Sequence, residues 1–333
     1  MARADVLLLS LGSTAGLRAA DAELRGALER AGARVAVAAA APQRDVRTFA
    51  LTDLVWARAA RAAARAALDE HDPRAIIYST ITAALLWPAP GAIRYDAPAA
   101  ANRPGRHGVW QRPLERRRLR AAPLLLPWAD GSLAETPAPH APAVVVPIPV
   151  EPSSDAPLPA AERDIAALTY AANPHKKGLD RVLGAWVGAR REGEELVVAG
   201  TEHVPATPGV RNAGRLRPED YRALVRRARV FVTAPRREDY GIAQLEALAD
   251  GCALVTTAAP GPYAALPLAR SLDRRFVPDD DGGLAAALRA ALNGPADDYA
   301  ERALAALAPF RHAAVDRTVA EELLPRLLAS AGR

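Results

Sequence analysis

Eight prolines fall between residues 136 and 160, at 137, 139, 142, 147, 149, 152, 157 and 159, and no regular element can run through them. Proline removes a backbone donor and fixes φ, so the stretch reads as a linker around one short strand at 144–148. On its N-terminal side, 6–10 is a continuous apolar run of buried-strand character. Turn residues Gly12, Ser13 and Gly16 follow, then an amphipathic helix over 18–31 and a strand at 34–39. A helix rich in Ala and Arg occupies 52–69, and strands are expected at 75–79, 92–95 and 124–127, with an Arg-rich helix over 110–121. After the linker, strands at 165–171, 195–199, 210–213, 230–234 and 253–256 run with helices over 178–190, 218–228 and 241–250. The chain is then helical from about 283 to 330. Such β-α-β alternation on both sides predicts two doubly wound parallel α/β sheets. Ligands in these folds sit at the carboxyl ends of strands, here expected in a cleft between the domains.

The length of 333 residues suits two domains of ~150 residues each. The expected division is 1–150, 151–310 and a final helix over 311–333 that packs back on the first domain. Cys252 is the only cysteine, which excludes an intramolecular disulfide and a thiolate zinc site. No stretch approaches the ~20 apolar residues of a membrane span, and the apolar run near the N-terminus lacks a charged leader and cleavage site. A cytosolic location is expected, with peripheral contact at the inner membrane face left open. The net charge of +5 suits phosphate-bearing ligands or an anionic membrane surface. With no zinc finger, RNA-binding signature or basic–aromatic stripe, nucleic acid is not an expected partner.

The chemically informative stretch is VFVTAPRREDYGIAQLEALADGCALVTT, residues 230–257. A buried strand leads through a charged loop to Gly241, which opens a helix closed by Gly251. The first turn of a helix has free N–H groups, and Gly241 has no side chain to obstruct an approaching phosphate, so Gly241 and Ile242 form a candidate anion site. Glu238 precedes the helix and Glu246 lies two turns into it; both carboxylates can accept from sugar hydroxyls. A solvated loop carboxylate and a helix-surface carboxylate are the plainer alternative.

In this context the sequence resembles the retaining GT-B glycosyltransferases of family 4. Their E-x7-E hallmark is matched by E-D-Y-G-I-A-Q-L-E-A-L-A-D-G-C-A-L-V. Lys177-Gly178-Leu179-Asp180 resembles the family's KG motif, LVVAG at 196–200 the next strand and turn, and VRNAGRL at 210–216 the nucleotide-edge strand and loop. The resemblance implies two Rossmann-like domains and transfer of a sugar from a nucleoside diphosphate sugar, UDP- or GDP-linked, to an acceptor hydroxyl. It also implies retention of configuration. Lys177 would contact the diphosphate, Glu246 the ribose, and Glu238 a hydroxyl of the transferred sugar, while the backbone at Arg215 and Leu216 would read the base. No metal and no cofactor are expected, because positive protein groups can neutralise the diphosphate.

Two positions depart from the family pattern. Ala172 stands where an arginine usually helps neutralise the diphosphate; Asn173, His175, Lys176 or an N-domain arginine could compensate. Tyr95-Asp96 stands nearest the usual N-domain histidine, and Asp96 could orient the acceptor hydroxyl or donor sugar, or simply stabilise a turn. The Gly12–Gly16 segment would reach toward the donor phosphates, or be a plain strand-to-helix turn. The arginine-rich run 103–120 could bind an acceptor phosphate or lipid headgroups, or be a wet helix face. Trp87, Trp110 and Trp128 could stack on a sugar or fill the core. The acceptor is left open among a glycan, a lipid and a small natural product. The rival activities are those of a GT-B epimerase, a phosphorylase and a sugar-nucleotide-binding protein with little turnover.

Overall fold

The computed structural model describes residues 4–44, 46–103 and 105–330. The outermost residues of the expected first and last segments (1–3 and 331–333), and Pro104 in the arginine-rich run, lie outside the described residues. In chain order the first elements are β1 (Val6–Ser10), α1 (Ala15–Arg30), β2 (Val35–Ala39), α2 (Phe49–Glu70), β3 (Ala75–Tyr78) and α3 (Ile81–Leu85). Next come β4 (Ala92–Tyr95), α4 (Ala99–Asn102), α5 (Gln111–Ala121), β5 (Leu125–Pro127) and α6 (Asp130–Ala134). After the proline segment follow β6 (Ile165–Tyr170), α7 (Leu179–Ala189), β7 (Leu196–Ala199), β8 (Val210–Gly214), α8 (Pro218–Arg227) and β9 (Ala228–Thr233). The set continues with α9 (Ile242–Ala249), β10 (Ala253–Thr256), α10 (Ala265–Leu272), α11 (Leu284–Leu292) and α12 (Tyr299–Ala306). It ends with α13 (His312–Thr318) and α14 (Leu324–Ser330), joined by a π-helical segment, Val319–Leu323.

Two compact units result. The first comprises Met1–Pro149 with His312–Arg333, and the second Val150–Arg311. Each holds a five-stranded sheet, ordered β2-β1-β3-β4-β5 in the first and β10-β9-β6-β7-β8 in the second. All strand pairs are parallel. Side chains alternate across a strand, and β1 shows the consequence. Leu7 and Leu9 join one core with Ala57, Ala60 and Ala64 of α2. Val6 and Leu8 join another with Leu24 and Leu28 of α1 and Val315, Val319, Leu323 and Leu327 of the C-terminal helices. In the second unit α7 packs with α11, and α8 with α9.

Several boundaries differ from the sequence expectation. Helix α1 starts at Ala15, because Thr14 accepts the Leu17 N–H at 3.2 Å as its N-cap; Gly16 therefore sits in a helical turn, not in a loop. No strand forms at 144–148. That segment is extended beside β5, with Val144 and Val146 donating to Leu125 and Pro127 at 2.9 Å each, and the donorless Pro147 and Pro149 interrupt a ladder. Helix α10 was not expected; Pro267 is tolerated because it occupies the first turn. The expected long tail breaks at Ala308–Phe310, so α12 belongs to the second unit and α13 to the first. No helix among the described residues is long and apolar enough to cross a membrane.

Candidate functional site in the second unit

Strand order reverses between β6 and β9, which are neighbours in the sheet although β7 and β8 intervene in sequence. Loops leaving two adjacent strands in opposite directions across a sheet open a crevice at their carboxyl ends. The β6 loop carries Asn173–Lys177 and the β9 loop carries Arg236–Tyr240. They are tied together. The Arg236 N–H donates to the Lys176 carbonyl at 2.9 Å, and the Arg236 guanidinium forms paired bonds to Asp180 at 2.8 and 2.7 Å. Gly178 makes this approach possible: it has φ +65°, and a Cβ there would lie 1.8 Å from the Ala234 carbonyl oxygen.

Within this frame Lys177 Nζ lies 2.6 Å from Glu238 Oε2. The Glu238 side chain is 5% exposed and that of Lys177 is 20% exposed, so the pair is shielded yet reachable from the lysine side. The same carboxylate oxygen accepts from Gln244 Nε2 at 3.0 Å. Tyr263 hydroxyl lies 2.5 Å from Thr256 Oγ1, and burial lifts its pKa above the ordinary phenol value. The backbone also fixes Glu238, whose N–H donates to Pro260 and whose carbonyl accepts from Tyr263. Beside it, Asp239 accepts from Lys176 at 2.5 Å and Arg237 at 2.7 Å. Burial opposes its ionisation, but the two cations outweigh burial and hold the carboxyl below its usual range.

Gly241 caps α9 in the left-handed region, with φ +92°, and no side chain caps the helix. The N–H groups of Ile242 and Ala243 thus lack intrahelical partners. Ile242 turns its side chain outward, 38% exposed. Glu246 lies farther along α9, 3.5 Å from Arg222 Nη1. Burial raises its pKa, Arg222 lowers it and neighbouring Asp250 raises it, with a net upward shift. Its field also reaches Tyr170 at the end of β6, whose ring packs 5.1 Å from Tyr221.

Lys177, Glu238, Gly241 and Ile242 are therefore assembled around one switch point, with Glu246 on the same helix. Arg215 is exposed and Leu216 half-buried just beyond β8. Asn173 shapes the turn, accepting from Lys176 N–H through Oδ1 and from Lys177 N–H through its carbonyl, both at 2.9 Å. Gly12, Gly16 and Asp96 belong to the first unit. Gly12 has φ +61°, whereas a Cβ on Gly16 would meet nothing within 4 Å. Asp96 Oδ1 accepts from the Ala97 N–H at 2.8 Å. Trp87 and Trp128 are core residues, 8% and 6% exposed, and half-buried Trp110 donates to the Ala50 carbonyl at 3.0 Å. Gln244, Tyr263 and Thr256 escaped the sequence reading, because the chain of contacts from Glu238 through Gln244 and Tyr263 to Thr256 crosses α9, the loop before α10 and β10 with no fixed spacing to reveal it.

Residues 164–294, which hold this site, match the family profile described as Glycosyl transferases group 1. That segment is a group 1 glycosyltransferase domain. The whole chain has the fold of the GT-B glycosyltransferases. It resembles a sucrose-phosphate synthase from Thermosynechococcus elongatus with a TM-score of 0.73 and 16% identity, over 99% of this chain and 100% of that one. An α,α-trehalose 6-phosphate synthase from Burkholderia multivorans gives 0.69 and 14%, over 100% of both chains. Anabaena HepE, whose structure holds UDP and glucose, gives 0.63 and 13%, over 97% of this chain and 99% of that one. No curated protein sequence matches the chain.

Proposed function

We propose that the glycosyltransferase domain binds a nucleoside diphosphate sugar, UDP- or GDP-linked, at the β6–β9 strand ends and transfers its sugar to an acceptor hydroxyl. The observation that carries this reading is the shielded Lys177–Glu238 pair, 2.6 Å apart, beside an uncapped helix start. An ammonium and aligned amides suit a departing diphosphate, and a buried carboxylate suits a sugar hydroxyl. The HepE structure with UDP and glucose supports a donor of this class. In the transfer, the bond from the anomeric carbon to the diphosphate oxygen breaks with its electrons on the phosphate, the acceptor oxygen bonds to that carbon, and the acceptor hydroxyl gives up its proton to the departing diphosphate. Lys177 and the Ile242 and Ala243 amides stabilise the developing phosphate charge, Glu238 orients the sugar and Glu246 the ribose. Arg215 and Leu216 line the base.

Retention of configuration rests on the E-x7-E resemblance, and transfer without a metal on the positive groups already in the site. The acceptor stays open among a glycan, a lipid and a small natural product. Calorimetric titration with UDP-, GDP-, ADP- and TDP-sugars should find one base bound, and Lys177→Ala should weaken that binding and lower transfer by about 100-fold, with chelator having no effect. Absence of binding to every nucleotide would refute the reading. Isomerised sugar nucleotide as sole product would reassign the site to an epimerase.

A further inference from the structure

A surface of different character lies on the first unit. Val46, Phe49, Leu51 and Val109 are 41%, 62%, 46% and 65% exposed, in a chain otherwise sparing with large exposed apolar side chains. They are joined through the fold. Trp110 Nε1 donates to the Ala50 carbonyl at 3.0 Å, the rings of Phe49 and His107 meet edge-on at 6.0 Å, and the Arg103 guanidinium lies 5.3 Å from the Phe49 ring centroid. From Val109 a groove of about 450 Å³ continues along α5, lined by Arg112, Pro113, Arg116 and Arg120.

The charge of this face is one-sided. Among the described residues, no carboxylate pairs with Arg106, Arg112, Arg116, Arg117 or Arg120. The one acid of α5, Glu115, is buried and accepts from the Ala99 and Ala100 N–H groups at 2.6 and 3.4 Å. Guanidiniums without carboxylate partners beside protruding apolar side chains match an interface that is anionic outside and apolar within. A free phosphate would use the arginines and leave four apolar side chains in water.

We propose that this face docks on an anionic lipid bilayer, with Phe49, Leu51, Val46 and Val109 entering the interface and Arg112, Arg116 and Arg120 pairing with lipid phosphates. It is independent of the donor reading, which nucleotide titration tests by itself.

The test is sedimentation of the full chain with vesicles of phosphatidylcholine, alone or with about a third phosphatidylglycerol. Binding should be at least about tenfold tighter to the anionic vesicles and weaken in high salt. Arg116→Gln with Arg120→Gln, both exposed, should lower it by about fivefold per arginine. Phe49→Ser with Val109→Ser should lower it by about tenfold while the charge is unchanged. A thermal melt of each variant separates lost docking from lost folding. Equal binding to both vesicle types, no binding, or wild-type binding by both variants would overturn the proposal. So would displacement by millimolar inorganic phosphate, or tight oligonucleotide binding that ignores the apolar changes.

Discussion

In the first unit strand order reverses between β1 and β3, and in the second between β6 and β9. The groups at these two places differ. At the first, the Leu11 N–H donates to Ser79 Oγ at 3.1 Å and Arg18 reaches back to the Gly12 carbonyl at 2.9 Å, so hydroxyls and amides predominate. Apart from exposed Arg18, its charged groups are sunk beneath the sheet end. Ser10 donates to Asp21 at 2.5 Å, buried Arg94 donates to the Ala20 carbonyl at 2.9 Å, and burial raises the Asp21 pKa. At the second reversal, Lys177, Glu238, Lys176 and Asp239 meet at the strand ends, the two carboxylates buried and the two ammonium groups more exposed. Equivalent topology thus sets two cation–carboxylate pairs side by side in one unit and, in the other, a rim of hydroxyls and amides with one exposed cation, Arg18.

The largest test separates the two units. Deleting the chain from His312 onward strips Val315, Val319, Leu323 and Leu327 from the first unit's core. At roughly 1.5–3 kcal/mol per buried aliphatic side chain this rivals a domain's whole net stability. Calorimetry should show the first unit's transition gone and the second's retained, with nucleotide still bound; loss of both would show that the units do not stand alone. Next in size is Gly178→Ala, which sets a Cβ against the Ala234 carbonyl and should destabilise the second unit by about 3 kcal/mol or more.

Activity sharpens the contrast within the site. Glu238→Ala should cut turnover by roughly 100-fold with modest change in nucleotide affinity, whereas Glu246→Ala should mainly weaken nucleotide binding; equal effects on both would undo the assigned roles. A pH test addresses the first unit. Burial lifts the Glu115 carboxyl to about 7, against the lowering effect of the Ala99 and Ala100 amides and of Arg103 and Arg116. A carboxyl raised on folding favours the folded state at low pH and loses that contribution as pH climbs from its ordinary value to about 7. The first unit should therefore melt higher near pH 5 than near pH 8, by the equivalent of ~2 kcal/mol, and Glu115→Gln should flatten the difference. The smallest effect belongs to Gly16→Ala. It meets open space in a helical turn and should stabilise the fold by up to about 1 kcal/mol. Lost transfer in that folded variant would reveal a ligand approach to α1.

Periodicity and punctuation made the sheets legible, because buried parallel strands must be apolar runs and Gly241 and Gly251 bracket α9. Lys177 and Glu238 were legible through motif spacing. Whether Lys176 replaces the cation absent at Ala172 was not settled by spacing; the structure pairs it with Asp239. What spacing could not convey is partnership across elements: Gln244 and Tyr263 gain significance only when β10 lies beside β9. Helix α10 was obscured by the Pro260-Gly261-Pro262 turn before it and by Pro267 inside it.

The Val150 N–H donates to the Phe310 carbonyl at 2.8 Å. The inserted segment therefore begins and finishes at one spot, like a loop of thread drawn through a single stitch. A gene recombining at these two codons could exchange the whole glycosyltransferase cassette without cutting a strand. A change in α13 or α14, by contrast, would injure the unit that is otherwise built from residues before Val150.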